Sequence, residues 1–218
     1  MRTIRITGKG RLKIRPDMTR ITLYLQGTFP EYEEALRRSS EDTAAIGDLL
    51  TNFGFQRTDL KTLQFNVDTA YETYEDRGMY KERFIGYQYR HEMKVEFPSD
   101  HGRLGKNLYA LARCSVKPEF RLSYTVKDPE AAKNELLGKA IEDAKAKSAV
   151  LTQAAGVLLK ELQSIDYSWG QLSFEVEPMC RTKSLLSPSG GAEERLHMDI
   201  EPEDIEVSDT VTVVWEIE

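Results

Sequence analysis

The sequence predicts an α+β fold: an antiparallel sheet with a long protruding β-hairpin, packed against two or three helices. Three observations carry that prediction. Apolar residues recur with period 2 in several long runs, the mark of strands with one buried face. Two of the longest runs flank Glu75-Asp76-Arg77-Gly78, a polar stretch with a glycine that suits an antiparallel hairpin. Between the strands lie segments whose apolar residues repeat at three and four, as on one face of a helix.

The first strands carry Ile4 and Ile6, then Leu12 and Ile14, and Ile21, Leu23 and Leu25 follow the Pro16-Asp17 break. A helix follows, marked by Ala35, Leu36, Ile46, Leu49, Leu50 and Phe53, with Gly54 placed for a left-handed end. Leu63, Phe65, Val67, Thr69 and Tyr71 form one arm of the hairpin, and Ile85, Tyr87, Tyr89, His91, Met93, Val95 and Phe97 form the other. A short helix starts near Ser99, taken as its N-cap, and runs through Leu104, Leu108, Leu111 and Ala112. A strand at Phe120–Val126 precedes a third helix that opens at Asp128-Pro129 and ends at Gly156. Its stripe, Ala132, Leu136, Ala140, Ala144, Leu151 and Ala155, is rich in small residues and implies close packing. Strands at Ile165–Trp169 and Ile205–Ile217 complete a single domain over residues 1–218. Residues 177–203, rich in serine, glycine and proline, read as a flexible loop.

Composition narrows the function. The 218 residues hold 30 basic and 36 acidic side chains, net -6, so no overall positive field exists to hold a nucleic-acid backbone. No run approaches the roughly 20 apolar residues that cross a bilayer, so membrane insertion is not expected. The opening Met1-Arg2-Thr3-Ile4-Arg5-Ile6 alternates instead of building a secretory signal. The expected location is cytoplasmic, or exported in a chain trimmed of its leader. Two cysteines, Cys114 and Cys180, are too few for a disulfide framework or a four-thiolate zinc site.

Each reactive group has a plain structural explanation. Gly8-Lys9-Gly10 resembles a phosphate loop, but Leu12 and Ile14 continue as strand where a phosphate site needs a helix N-terminus; a bulge or tight bend is expected. His91 lies on the apolar stripe of its strand, where a satisfied imidazole is expected, and His101 and His197 show no metal-ligand spacing. Ser123, Cys114 and His91 are nucleophile and base types that sequence spacing does not bring together. No catalytic residue, cofactor or metal is therefore assigned. The aromatic residues Tyr74, Tyr80, Phe84, Tyr87 and Tyr89 concentrate on the hairpin with Arg77, Lys81, Arg83 and Arg90 between them. That composition suits an oligomer interface, where tyrosine and arginine are enriched, and it also suits single-stranded nucleic acid, which stacks on aromatic rings.

The order of elements and a set of positions resemble the SIMPL-domain family. The positions are Gly8 and Gly10, Pro16 and Asp17, Gly54, Asp59 and Thr62, Gly86 and Tyr87, then Ala140, Ala144, Lys147 and Gly156. The likeness spans nearly all of the chain outside 177–203. It implies an α+β fold in which these residues are structural, a tendency to self-associate, a link in some bacterial members to oxidative-stress defence, and no established enzyme activity. Many bacterial relatives look exported, and Ser148 and Thr152 stand where the family's helix more often shows alanine.

The expected function is that of a non-enzymatic, self-associating protein with a stress-related or scaffolding role, its partners being further copies of itself or an unidentified protein. A small-molecule-binding domain or enzyme with a pocket between sheet and helices is the alternative, and single-strand binding through the hairpin is the second.

Overall fold

The computed structural model describes residues 2–167, 172–178 and 200–218. Trp169, Cys180, His197 and most of the expected loop at 177–203 lie outside the described residues. The described chain runs β1 (Arg2–Ile14), β2 (Met18–Phe29), α1 (Tyr32–Thr51), a 3-10 turn at Arg57–Asp59, β3 (Lys61–Asp76), β4 (Met79–Pro98), α2 (His101–Arg113), β5 (Glu119–Thr125), α3 (Pro129–Ala155), β6 (Leu159–Tyr167), β7 (Glu175–Val176) and β8 (Ile205–Ile217). This is the α+β fold expected, with antiparallel sheets and three helices. It forms two compact units, one of residues 1–17, 125–176 and 202–218, the other of 18–124 and 177–201.

In the first unit β8 lies between β1 and β6, antiparallel to both. The β1–β8 ladder runs without a break from Arg2↔Ile217 to Ile14↔Ile205. The bulge or bend expected at Gly8-Lys9-Gly10 is therefore absent, and the glycines serve another purpose. A Cβ on Gly8 would sit 2.0 Å from the Ala140 carbonyl oxygen, and one on Gly10 would sit 2.2 Å from that of Leu136. Bare backbone on the strand lets α3 approach until the helix touches the sheet. The helix answers with a stripe at four-residue spacing, Leu136, Ala140, Ala144, Ser148 and Thr152, all buried. Ile6, Val211, Val213 and Trp215 close this core around Ala140 and Ala144.

The ends of α3 match expectation. Asp128 accepts from the Ala131 N–H at 2.9 Å, Pro129 opens the first turn, and Gly156 takes the left-handed conformation at φ 66°. Asp17 ties the chain by accepting from the Lys127 N–H at 2.7 Å and donating its own N–H to the Thr125 carbonyl at 3.2 Å, after the break at Pro16. On the outer edge of β1 the Lys9 N–H donates to the Asp143 carboxylate at 2.7 Å, and Lys147 bridges Asp143 at 2.7 Å and the Thr7 carbonyl at 3.2 Å. The Lys147 ammonium first, then the Lys9 amide, hold the Asp143 carboxyl below the usual range.

In the second unit β3, β4, β2 and β5 lie side by side in that order. Ile21, Leu23, Leu25, Met93, Val95 and Phe97 from the sheet are buried with Ala35, Ile46 and Leu50 of α1 and Leu104 and Leu111 of α2. The N-cap of α2 is Asp100, one residue beyond the expected Ser99; its carboxylate accepts from the Arg103 N–H at 2.9 Å. Gly54 takes positive φ, 80°, beyond the end of α1, and Asp59 closes a capping box by accepting from the Gln56 N–H at 2.8 Å. The turn between β3 and β4 is Arg77-Gly78, both at positive φ, 54° and 77°, as a two-residue hairpin turn of the tightest kind requires.

Candidate functional site

Two features of the second unit stand out: a cleft around His91, and the aromatic ribbon at the far end of the β3–β4 pair. The cleft begins with a register shift. Thr62 pairs with Met93, but Gln64 pairs with Glu92 and Phe65 with His91, leaving Leu63 as an extra residue in β3. Side chains three apart on a regular strand point to opposite faces, whereas a one-residue bulge returns them to the same face. Thr62 and Phe65 therefore both face the side where His91 and Met93 emerge. Above them α1 presents Ser39, Thr43 and Gly47, a run of small residues at four-residue spacing. The space left between them is an open cleft of about 540 Å³, with Arg57 and Leu60 at its rim.

His91 joins the three elements. Its Nδ1 lies 3.0 Å from the Thr43 hydroxyl, its Nε2 lies 2.8 Å from the Thr62 hydroxyl, and Phe65 meets the ring edge-on at 5.1 Å. The Thr43 hydroxyl donates its proton to the Ser39 carbonyl at 2.7 Å. It can then only accept from the imidazole, which places the proton on Nδ1 and leaves Nε2 to accept from Thr62. The network is thus complete with a neutral ring, and burial lowers the pKa of His91 below the ordinary imidazole value. A folded-state pKa below the unfolded one means that the unfolded chain takes up the proton first as pH falls. The contribution of His91 to stability is therefore full above about pH 6.5 and is lost below it, down to the folded-state pKa. Unfolding in urea at pH 7.5, 6.5 and 5.5 should show the wild type losing its advantage over His91→Gln as pH falls; a difference that stays constant would overturn this assignment.

The ribbon follows from the two ladders. Pairing of β2 with β4 ends at Phe29↔Tyr87, whereas pairing of β3 with β4 continues to Asp76↔Met79. Among the described residues, 71–84 thus pair only with each other. A second register shift, between Ala70 and Tyr71, passes over Ile85, so Phe84 packs edge-on against both Tyr71 at 5.8 Å and Tyr87 at 5.5 Å. Ile85 is the extra residue here and does not continue the stripe expected for β4. Gly86 carries φ 137° at this point, and Tyr87 packs edge-on against Tyr32 of α1.

Of the five residues expected at an interface, Tyr74, Tyr80 and Phe84 are exposed, Tyr80 by 79%. Tyr87 is half-buried. Tyr89 is the exception: it is 2% exposed, stacks on Phe29, and donates its hydroxyl to the Asp42 carboxylate at 2.5 Å. Burial first, then Asp42, raise its pKa. Tyr89 belongs to the core of its own unit, not to an outward surface.

Two basic residues of the ribbon are engaged across the strands. Arg83 pairs with Glu72 at 2.6 Å and lies 5.8 Å from the Tyr74 ring, while Lys81 pairs with Asp76 at 2.5 Å. Residues 61–98 hold six basic and seven acidic side chains, so the hairpin carries no positive surplus. Ser123 is buried on β5, Cys114 caps α2 without a disulfide, and both ring nitrogens of His91 are on threonines. The nucleophile and base types are thus not united through His91. Among the described residues no group of three or more histidine, cysteine, aspartate or glutamate side chains could hold a metal ion, and no helix is long and apolar enough to cross a membrane. Sequence reading missed Ser39, Thr43 and Gly47 as a group; their spacing on α1 was the available signal.

A family model named SIMPL, described as a protein of unknown function (DUF541), matches residues 4–215. Among curated proteins the chain is similar to the 26 kDa periplasmic immunogenic protein of Brucella melitensis biotype 1, 28% identical over 163 residues, which cover 74% of this chain and 65% of that protein. It is also similar to the protein of the same name in Brucella abortus strain S19, 27% identical over 163 residues with the same coverage. The chain spans about two thirds of the length of these relatives, just under it at 65%.

Proposed function

The chain belongs to the SIMPL family, and from that premise we propose that it is a non-enzymatic scaffold that assembles with further copies of itself through the β3–β4 ribbon, in a periplasmic setting like the one named for its relatives. Of the two locations expected from the sequence, cytoplasmic or exported, the names of the relatives support the exported one. One observation carries the assembly reading: among the described residues, 71–84 form a two-stranded ribbon with no third strand, yet expose Tyr71 by 57%, Tyr80 by 79% and Phe84 by 46%. A two-stranded hairpin is marginal in water by itself. Its outer strand β3 is also the end strand of the sheet, and such an edge offers unpaired backbone groups to a further strand. Aromatic side chains on an unsupported ribbon are best buried against another copy, where they act as anchors.

Single-strand binding draws less support. Glu72 and Asp76 stand beside Arg83 and Lys81, and the hairpin as a whole has more acidic than basic side chains, so it offers a phosphate backbone no net positive surface.

Light scattering tests the assembly. The wild type should be a discrete oligomer at micromolar concentration, and the double variant Tyr80→Ser/Phe84→Ser should fall to a lower mass. Its circular dichroism should stay near that of the wild type, because both side chains lie outside the buried core of the unit. An unchanged mass in a folded double variant, or a monomeric wild type, would reject the proposal.

A further inference from the structure

We propose that the His91 cleft binds a small amphipathic molecule with an apolar body and a single carboxylate. The inference is independent of the assembly reading, because the cleft uses the Thr62–Phe65 end of β3 and none of residues 71–84.

The first support is Gly47. It lies inside α1 and is buried, yet a Cβ there would meet nothing within 4 Å. Glycine in a helix interior costs about 0.5–1 kcal/mol relative to alanine. No close approach requires it here, and a side chain would project into the cleft that Gly47 lines. The glycine preserves room, and small Ser39, Ser40 and Ala44 beside it on α1 do the same.

The second support is the chemistry of the walls. Leu36, Leu60, Phe65 and Met93 supply apolar surface, and Arg57 stands at the rim with no aspartate or glutamate among the lining residues. The lining thus holds one basic and no acidic side chain, in a chain with 36 acidic residues and net charge -6. The Arg57 Nη2 donates to Asp48, which lies outside the lining. A guanidinium has five N–H donors, so this bond leaves capacity for a second carboxylate. A volume of about 540 Å³ lies within the usual range for small-ligand sites.

Octanoate and its uncharged counterpart 1-octanol test the proposal by NMR of protein labelled at the methionine methyls. Met93 is 1% exposed and lines the cleft, whereas Met79 is 62% exposed and Met18 lies on β2. Octanoate should shift Met93 saturably and leave Met18 and Met79 in place. Arg57→Gln should weaken octanoate by about tenfold and leave octanol unchanged. Gly47→Leu should abolish binding of both, and Gly47→Ala, which favours the helix, should weaken both if the leucine variant does not fold. The Tyr80→Ser/Phe84→Ser variant should bind as the wild type does, which separates this result from the fate of the assembly. Absence of a saturable shift at millimolar octanoate, octanol binding as tightly as octanoate, or undiminished binding in a folded Gly47→Leu protein overturns the proposal.

Discussion

Gly8→Val should destabilise the first unit by more than about 3 kcal/mol or prevent it from folding. Local preference argues the opposite, because valine favours a strand and glycine does not, by about 1 kcal/mol. The packing decides. A Cβ at residue 8 lies 2.0 Å from the Ala140 oxygen, 2.6 Å from the Ala144 nitrogen and 2.7 Å from the Ala144 Cβ. Two of these three atoms are helix backbone and cannot rotate away. The helix must lift, and lifting it uncovers the core around Ile6, Val211, Val213 and Trp215. Urea unfolding followed by circular dichroism measures the loss, and Ala144→Gly offers a check on its cause. Removing that methyl should fail to rescue Gly8→Val, since the closest contact is with the carbonyl oxygen of Ala140. A variant as stable as the wild type, or rescued by Ala144→Gly, would show that the interface can yield.

Much of this fold is written in local pattern. Period 2 located the strands, and Asp128-Pro129 with Gly156 bounded α3 because capping chemistry needs only neighbours in sequence. Gly8 and Gly10 suggest a bulge or tight bend for the same reason: a local view sees glycine in a strand, while its cause lies on Ala140 and Leu136, far along the chain. The bulges at Leu63 and Ile85 carry no warning in their own residue types, yet they decide that Thr62 reaches His91 and that Phe84 reaches Tyr87. Tyr89 and Tyr80 look alike in sequence. They differ because Tyr89 pairs with Gly27 of β2 and lies within the supported part of the sheet, whereas Tyr80 lies beyond the end of that ladder. Alternation tells which face a side chain takes, not how far its covering layer extends. The His91 cleft was legible only in part: His91 stood on the correct stripe, but its hydroxyl partners come from α1 and β3.

Gly86→Ala is expected to be the most damaging single methyl in the second unit. Gly86 sits at φ 137°, a backbone state that side chains with a Cβ rarely enter, and its Cβ would lie 2.1 Å from the Phe29 oxygen and 2.7 Å from the Phe29 carbonyl carbon. The strain of such a conformation alone is of order 1–3 kcal/mol, and the collision adds to it. Gly78 supplies the control. It also has positive φ, 77°, but a Cβ there meets nothing within 4 Å. Gly78→Ala therefore bears the conformational term alone, and the difference between the two variants isolates the clash. Both substitutions lie on β4 or its turn, but only residue 86 stands where β2 leaves the sheet, beside the Phe29↔Tyr87 pair. The least costly relief is to move β4 away from Phe29, which detaches the root of the ribbon before the rest of the unit unfolds. Hydrogen exchange should then show early loss of protection at residues 71–84 in Gly86→Ala, with Gly78→Ala close to wild type. If assembly runs through the ribbon, the oligomer should be lost in the first variant and retained in the second. Equal stability of the two variants would mean that Phe29 moves aside, and the ribbon would not depend on Gly86 for its direction.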